Sequence, residues 1–201
     1  MLVANSNLIG TPILSVQASG PIARVASSIV DPNDFKIIAF RISGPLASKG
    51  HDIIDISSVR EYSNLGMVID DNDEIIGPDD VIRIKQVLEL NFDPIGLKVE
   101  TKKHSKLGKV IDFTVNSDDF YIQQIIVKRP VVKSFIDPEL TIPKREIVEV
   151  TDYKIIVKDE EKVLKEKAEA EDFVPNFVNP FRESPDFAPA DTKIPADKDT
   201  E

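Results

Sequence analysis

The sequence predicts a mainly β protein: two small β-barrels joined by a short helix, then a C-terminal helix and an extended tail. Three observations carry this reading. Blocks of sequence recur at a nearly constant offset of 85–86 residues. Each copy breaks into short runs of β-branched residues separated by turn residues. The 201 residues are 41% apolar and 6% aromatic with no Trp, which suits two small cores better than one large one.

The first copy is placed at residues 1–76. Arg24 to Val30 and Phe35 to Ile42 read as strands around the turn Asp31-Pro32-Asn33-Asp34. Leu65 to Ile69 and Glu74 to Ile76 read as a further hairpin, turning through Asp70-Asp71-Asn72-Asp73. Residues 77–93 form the linker. Pro78 to Leu88 reads as a helix because Pro and two Asp suit a helix start and Val81, Ile84 and Leu88 share a face. A strand over Val81 to Leu88 is the competing reading, since β-branched residues are frequent there. The second copy spans 94–158, with strands at Lys109 to Val115 and Tyr121 to Val127 around Asn116-Ser117-Asp118-Asp119. Glu146 to Val150 and Lys154 to Lys158 supply its last hairpin.

The matches run in order. Leu8-Ile9-Gly10 aligns with Pro94-Ile95-Gly96, Ile22-Ala23-Arg24-Val25 with Leu107-Gly108-Lys109-Val110, and Asp34-Phe35 with Asp119-Phe120. Arg60-Glu61-Tyr62 aligns with Arg145-Glu146-Ile147. Ordered blocks at one offset point to duplication. Lone hairpins are not stable in water, so the regularly spaced strands of each copy suggest a small barrel. Gly96 and Gly108 suit a turn or a close backbone approach.

These residues resemble the PRC-barrel family, the small barrel of the photosynthetic reaction centre H subunit and of the C-terminal part of a ribosome-maturation factor. The pattern is clearest in the second copy: Ile95-Gly96, Val99, Leu107 to Phe113, Ile125-Ile126-Val127, Ile142-Pro143 and Glu146-Ile147-Val148. The first copy departs from it with Ala23 in place of Gly108 and with a longer insertion around Gly44 to Asp52. The resemblance speaks to fold more than to activity.

Residues 158–201 carry 13 acidic and 7 basic side chains and five of the fourteen prolines. Residues 159–172 suit a helix, being rich in helix formers and free of Gly and Pro. After that the prolines forbid a helix, so 173–201 reads as an extended or disordered tail. Four of ten phenylalanines lie there, at Phe173, Phe177, Phe181 and Phe187. Phe beside Pro suits a partner's hydrophobic groove; packing back onto a barrel is the equal alternative.

Composition also excludes. With no cysteine there is no disulfide scaffold, thiolate metal site or Cys nucleophile, and a reducing, cytoplasmic setting is compatible. A net charge of −10 argues against a general nucleic-acid binder. Met1 to Gly10 lacks a basic region followed by an apolar run, so no secretory signal is expected. No apolar run is long enough to span a membrane. His51 and His104 sit in polar loops without metal-ligand spacing. Asp70 to Glu74 lacks the Gly and Glu of a calcium loop. No phosphate-cradling loop or nucleophile elbow is present, so no catalytic, metal or cofactor site is expected.

One basic patch stands out. Residues 94–157 hold 11 basic and 9 acidic side chains. Lys102, Lys103, Lys106 and Lys109 cluster around one strand start, and Lys128, Arg129 and Lys133 follow another. An ordinary solvated rim is the plain reading; an anionic partner (RNA, an acidic protein surface or the chain's own tail) is the functional one. The expectation is a non-catalytic adaptor with an unidentified protein partner and open to self-association. The alternative is a ribosome-maturation-like factor binding a ribosomal protein or rRNA.

Overall fold

Two seven-stranded sheets organise the described residues. The computed structural model describes residues 1–47, 50–130 and 138–159, all within one compact unit, Met1–Leu164. Apart from Asp159, the expected C-terminal helix and the Phe/Pro tail lie outside the described residues. The first sheet contains β2 (Pro12–Ser15), β3 (Gly20–Asp31), β4 (Lys36–Ser43), β5 (Ile53–Asp55), β6 (Glu61–Ser63), β7 (Gly66–Ile69) and β8 (Ile75–Ile76). The second contains β9 (Lys98–Thr101), β10 (Lys106–Asn116), β11 (Ile122–Lys128), β12 (Glu139–Pro143), β13 (Ile147–Val150) and β14 (Lys154–Val157). Its seventh strand is β1 (Leu2–Ala4), followed by the single helical turn α1 (Asn5–Leu8); α2 (Ile82–Leu90) links the sheets.

The duplication reappears in the hydrogen-bonded register. The orders are β6-β7-β2-β3-β4-β5-β8 and β13-β14-β9-β10-β11-β12. Each has one parallel pair, β2 with β7 and β9 with β14. In β3–β4 the pairs include Val25 with Ile42 and Phe40 with Ser28, and register shifts fall at Val25/Ser27 and Ile29/Val30. In β10–β11 the corresponding shifts fall at Val110/Asp112 and Thr114/Val115, the same offset of 85. Such bulges bend and twist a strand, so the two long hairpins curve alike. Inward positions match as well: Ile13, Val25, Ile37 and Met67 are buried, and so are Val99, Val110, Ile122 and Ile155. Each such burial contributes on the order of 1.5–3 kcal/mol.

The copies meet through their hairpin turns. The Ile37 amide donates to the Phe120 carbonyl at 3.0 Å, and the Ile122 amide donates to the Phe35 carbonyl at 3.0 Å. These two bonds exchange under the 85-residue offset, so they define a local pseudo-twofold. Phe35 and Phe120 are both left-handed, with φ of 53° and 57°. That conformation costs an L-residue about 1–2 kcal/mol. Burial offsets it: Phe35 is 4% exposed and Phe120 5%, and Phe120 meets Phe40 edge-to-face at 5.8 Å. One apolar core therefore runs through both sheets.

The segments leading into each copy are exchanged. β1 precedes the first copy but pairs with β10 of the second, Leu2 opposite Asn116 and Ala4 opposite Thr114. The Ser6 hydroxyl donates to Asp112 at 2.6 Å. Reciprocally, α2 precedes the second copy but buries Ile84 and Val87 against Ile29, Ile38, Ala39 and Ile53 of the first.

The mainly β reading holds; among the described residues the outermost strands of neither sheet pair with each other, so the hydrogen bonds form two open sheets. Three sequence expectations need correction. The segment Gly66–Ile69 does not pair with Ile75–Ile76. β7 pairs with β6, and β8 pairs with β5, because Asp71 accepts from the Asp73 amide and a 3₁₀ turn over Asn72–Glu74 redirects the chain. Helix α2 begins at Ile82, four residues after Pro78, since Asp80 instead accepts the Gly77 amide in a preceding turn. The longer β4–β5 type connection belongs to the second copy. Ser43 to Ile53 is answered by Lys128 to Thr141, three residues more, and the later strands consequently match at 88.

Gly108 shows how a shared geometry survives a changed residue. It has φ of 147°, and a Cβ built on it would overlap the Lys128 carbonyl oxygen of the neighbouring strand. The first copy has Ala23 there, and its glycine stands across the pair instead: a Cβ on Gly44 would come 2.8 Å from the Ala23 Cα. Both copies keep the close approach. Gly108→Val is expected to lower stability by about 1–3 kcal/mol, read as a lower melting temperature by circular dichroism. An unchanged melting temperature would show that β10 and β11 separate there at no cost.

Candidate functional site

The described basic residues singled out in the sequence lie on or beside β9, β10 and β11 of the second sheet. Lys102 and Lys103 occupy the turn after β9, Lys106 opens β10, Lys109 lies within it, Lys128 ends β11 and Arg129 follows it. Lys133 lies outside the described residues. Pairing brings Lys109 directly opposite Lys128. It also brings in two lysines that sequence reasoning missed: Lys98 is the other register partner of Lys109, and Lys154 is the partner of Lys98. Lys154, Lys98, Lys109 and Lys128 thus form one row across four adjacent strands, β14-β9-β10-β11.

Strand alternation sets the direction of this row. Val99, Val110, Val127 and Ile155 are buried beside it, while Lys98, Lys109 and Lys128 are exposed. Lys154 is half-buried, and its Nζ lies 3.8 Å from Glu100 on the same face. Among the described residues, Lys98, Lys109 and Lys128 have no ion pair. The row ends at β12, where Glu139 is the partner of Lys128. Like charges directly opposite on a sheet are destabilising. The first copy avoids this, with Gly66, Pro12, Arg24 and Ser43 at the corresponding positions.

A second cationic feature sits at the pseudo-twofold. Lys36 and Tyr121 are each other's counterparts and also bridge partners. The Tyr121 ring is flanked by Lys36 Nζ at 4.7 Å and Lys144 Nζ at 4.8 Å from its centroid. Lys144 also donates to the Asp34 carbonyl at 3.2 Å. It borders an open cleft of about 530 Å³ between the turn Pro32–Phe35 and the outer strand β13. Both ammonium groups face the Tyr121 ring and Lys144 also bonds Asp34, so this cluster joins the copies.

Asp31 anchors the same turn. It is 5% exposed and accepts from the Asn33 amide at 2.9 Å and from Arg83 of α2 at 3.0 Å. Arg83 also reaches Asp34 at 2.6 Å. Burial by itself would raise the Asp31 carboxyl, but the hydrogen bonds from Asn33 and Arg83 outweigh it and hold it below its ordinary value.

The candidate tail residues Phe173, Phe177, Phe181 and Phe187 lie outside the described residues. No helix among the described residues is long and apolar enough to cross a membrane. No protein-family model matches this chain, and no curated protein is significantly similar to it in sequence.

The Asp31–Arg83 link has a definite pH dependence. A carboxyl lowered in the folded state contributes stability above its unfolded value, and that contribution is lost as pH falls through the folded value. Wild-type stability relative to Asp31→Asn should therefore decline as pH falls below about 5 and on through the lowered folded value, measured by urea unfolding at each pH. Parallel curves for the two proteins would show that the carboxylate adds nothing to the docking of α2.

Proposed function

We propose that the chain is a non-catalytic interaction scaffold, acting in the cytoplasm, built on two PRC-barrel-like units. The barrel-like reading is supported by chain geometry. In each copy the strands β5 and β6, or β12 and β13, stand toward opposite edges of the sheet yet are joined by a short segment containing a single 3₁₀ turn, Ile56–Ser58 or Lys144–Glu146. A sheet so connected must curl to bring those strands together.

The single observation that carries the interaction role is the contrast between the copies. Inward positions such as Ile13, Val25, Ile37 and Met67 have buried aliphatic counterparts in Val99, Val110, Ile122 and Ile155, whereas the outward face of the second carries the lysine row that the first does without. Residues that fold does not require and that repel one another suit a docking surface. The Phe/Pro tail supplies a second contact to a protein partner.

A ribosome-maturation-like role, binding a ribosomal protein or rRNA, is favoured by the same row, since an anionic partner fits either reading. The test is a pull-down from cell extract with the full chain and its Phe177→Ala, Phe181→Ala variant. A Phe anchor at a hot spot contributes about 2 kcal/mol or more, so partner recovery should fall well over tenfold. Undiminished recovery would defeat the role of the tail. Salt-sensitive co-sedimentation with ribosomes, equal in wild type and variant, would select the ribosomal alternative.

A further inference from the structure

We infer that the row Lys154-Lys98-Lys109-Lys128 is a docking site for a short acidic peptide segment of a protein partner. The inference rests on the scaffold reading and names the chemistry of the partner.

Its dimensions come first. Adjacent strands lie about 4.8 Å apart, so four strands place the outer lysines roughly 14 Å from each other. An extended peptide advances about 3.3 Å per residue and covers that length with four or five residues. Three of the four ammonium groups have no carboxylate of this chain, among the described residues, to neutralise them. A run of Asp or Glu laid across the strands would supply one.

The limits of the row favour a short peptide over a nucleic acid. Glu139 stands at its β12 end as the partner of Lys128, and Glu100 lies beside Lys98 and Lys154 on the same face. A polynucleotide that gathers six to ten phosphate contacts would run beyond the row onto a chain of net charge −10. The neighbouring outward residues Ile111, Ile126 and Ile156 are aliphatic, matching apolar residues interleaved in a peptide better than stacked bases.

The experiment uses the full chain and a fluorescein-labelled octaglutamate peptide, with binding read by anisotropy at low salt. Binding should weaken as salt is added. The combined variant Lys98→Glu, Lys109→Glu, Lys128→Glu should bind at least about tenfold more weakly, whereas Lys85→Glu on α2 should leave binding unchanged. The neutral variant Lys98→Gln, Lys109→Gln, Lys128→Gln guards against a folding defect: it should melt no lower than wild type, because cross-strand repulsion is removed, and still lose the peptide. Equal binding by wild type and the neutral variant would overturn the inference. So would tighter, row-dependent binding of labelled octauridylate, or row-dependent binding of phosphatidylserine vesicles with none of the peptide. Failure here with tail-dependent partners retained would remove the peptide site alone; peptide binding retained with no such partners would remove the tail's role alone.

Discussion

Two backbone hydrogen bonds between hairpin turns, Ile37 to Phe120 and Ile122 to Phe35, set the arrangement of everything else. For each carbonyl to face the other copy, its residue must turn left-handed, and both are phenylalanine where Gly or Asn would be the low-strain choice. The strain is tolerated because each ring enters the shared core while its carbonyl makes the bridge. Side chain and main chain of one residue thus do different jobs: one fills the core, the other joins the copies.

Once that contact exists, the remaining asymmetries have a place. Lys36 and Tyr121 would be identical residues facing each other in an undiverged duplicate. A Lys–Lys pair would repel, whereas Lys over a Tyr ring attracts, so divergence at the pseudo-twofold strengthens the contact. The exchanged leading segments act in the same direction. β1 adds a strand to the second copy, α2 covers part of the first, and Arg83 ties α2 back to the turn that carries Phe35. Separating the copies would therefore expose the apolar surface of the core they share. Divergence away from this contact went to the outward face, where the lysine row has no structural counterpart in the first copy.

The sequence disclosed the two long hairpins and the duplication, but not the short Asp71–Asp73 and Gly77–Asp80 turns that redirect the chain. The hairpins β3–β4 and β10–β11 are legible from β-branched runs around Asp/Asn-rich turns, and the offset of 85 marks Phe35 and Phe120 as equivalent. That equivalent residues would also face each other was not legible, since Asp-Phe at a strand end reads as an ordinary turn. Long-range pairing was hidden for the same reason. Lys98 and Lys154 stand 56 residues apart and become neighbours only through the parallel pair β9–β14, which leaves no periodic trace in either segment. The offset itself misled at the last hairpin. Three extra residues after Lys128 shift the true match to 88, so the alignment of Arg60-Glu61-Tyr62 with Arg145-Glu146-Ile147 joins positions that the fold separates.

Native-state hydrogen exchange at two amides tests the central claim most directly. If the reciprocal bridge holds the copies together, Ile37 and Ile122 exchange only through opening of the whole two-sheet unit, with matching protection close to the free energy of global unfolding. Slow exchange at one amide and loop-like exchange at the other, or fast exchange at both while Phe40 and Ile125 stay protected, would contradict it: the copies would then be separate folding units in loose contact.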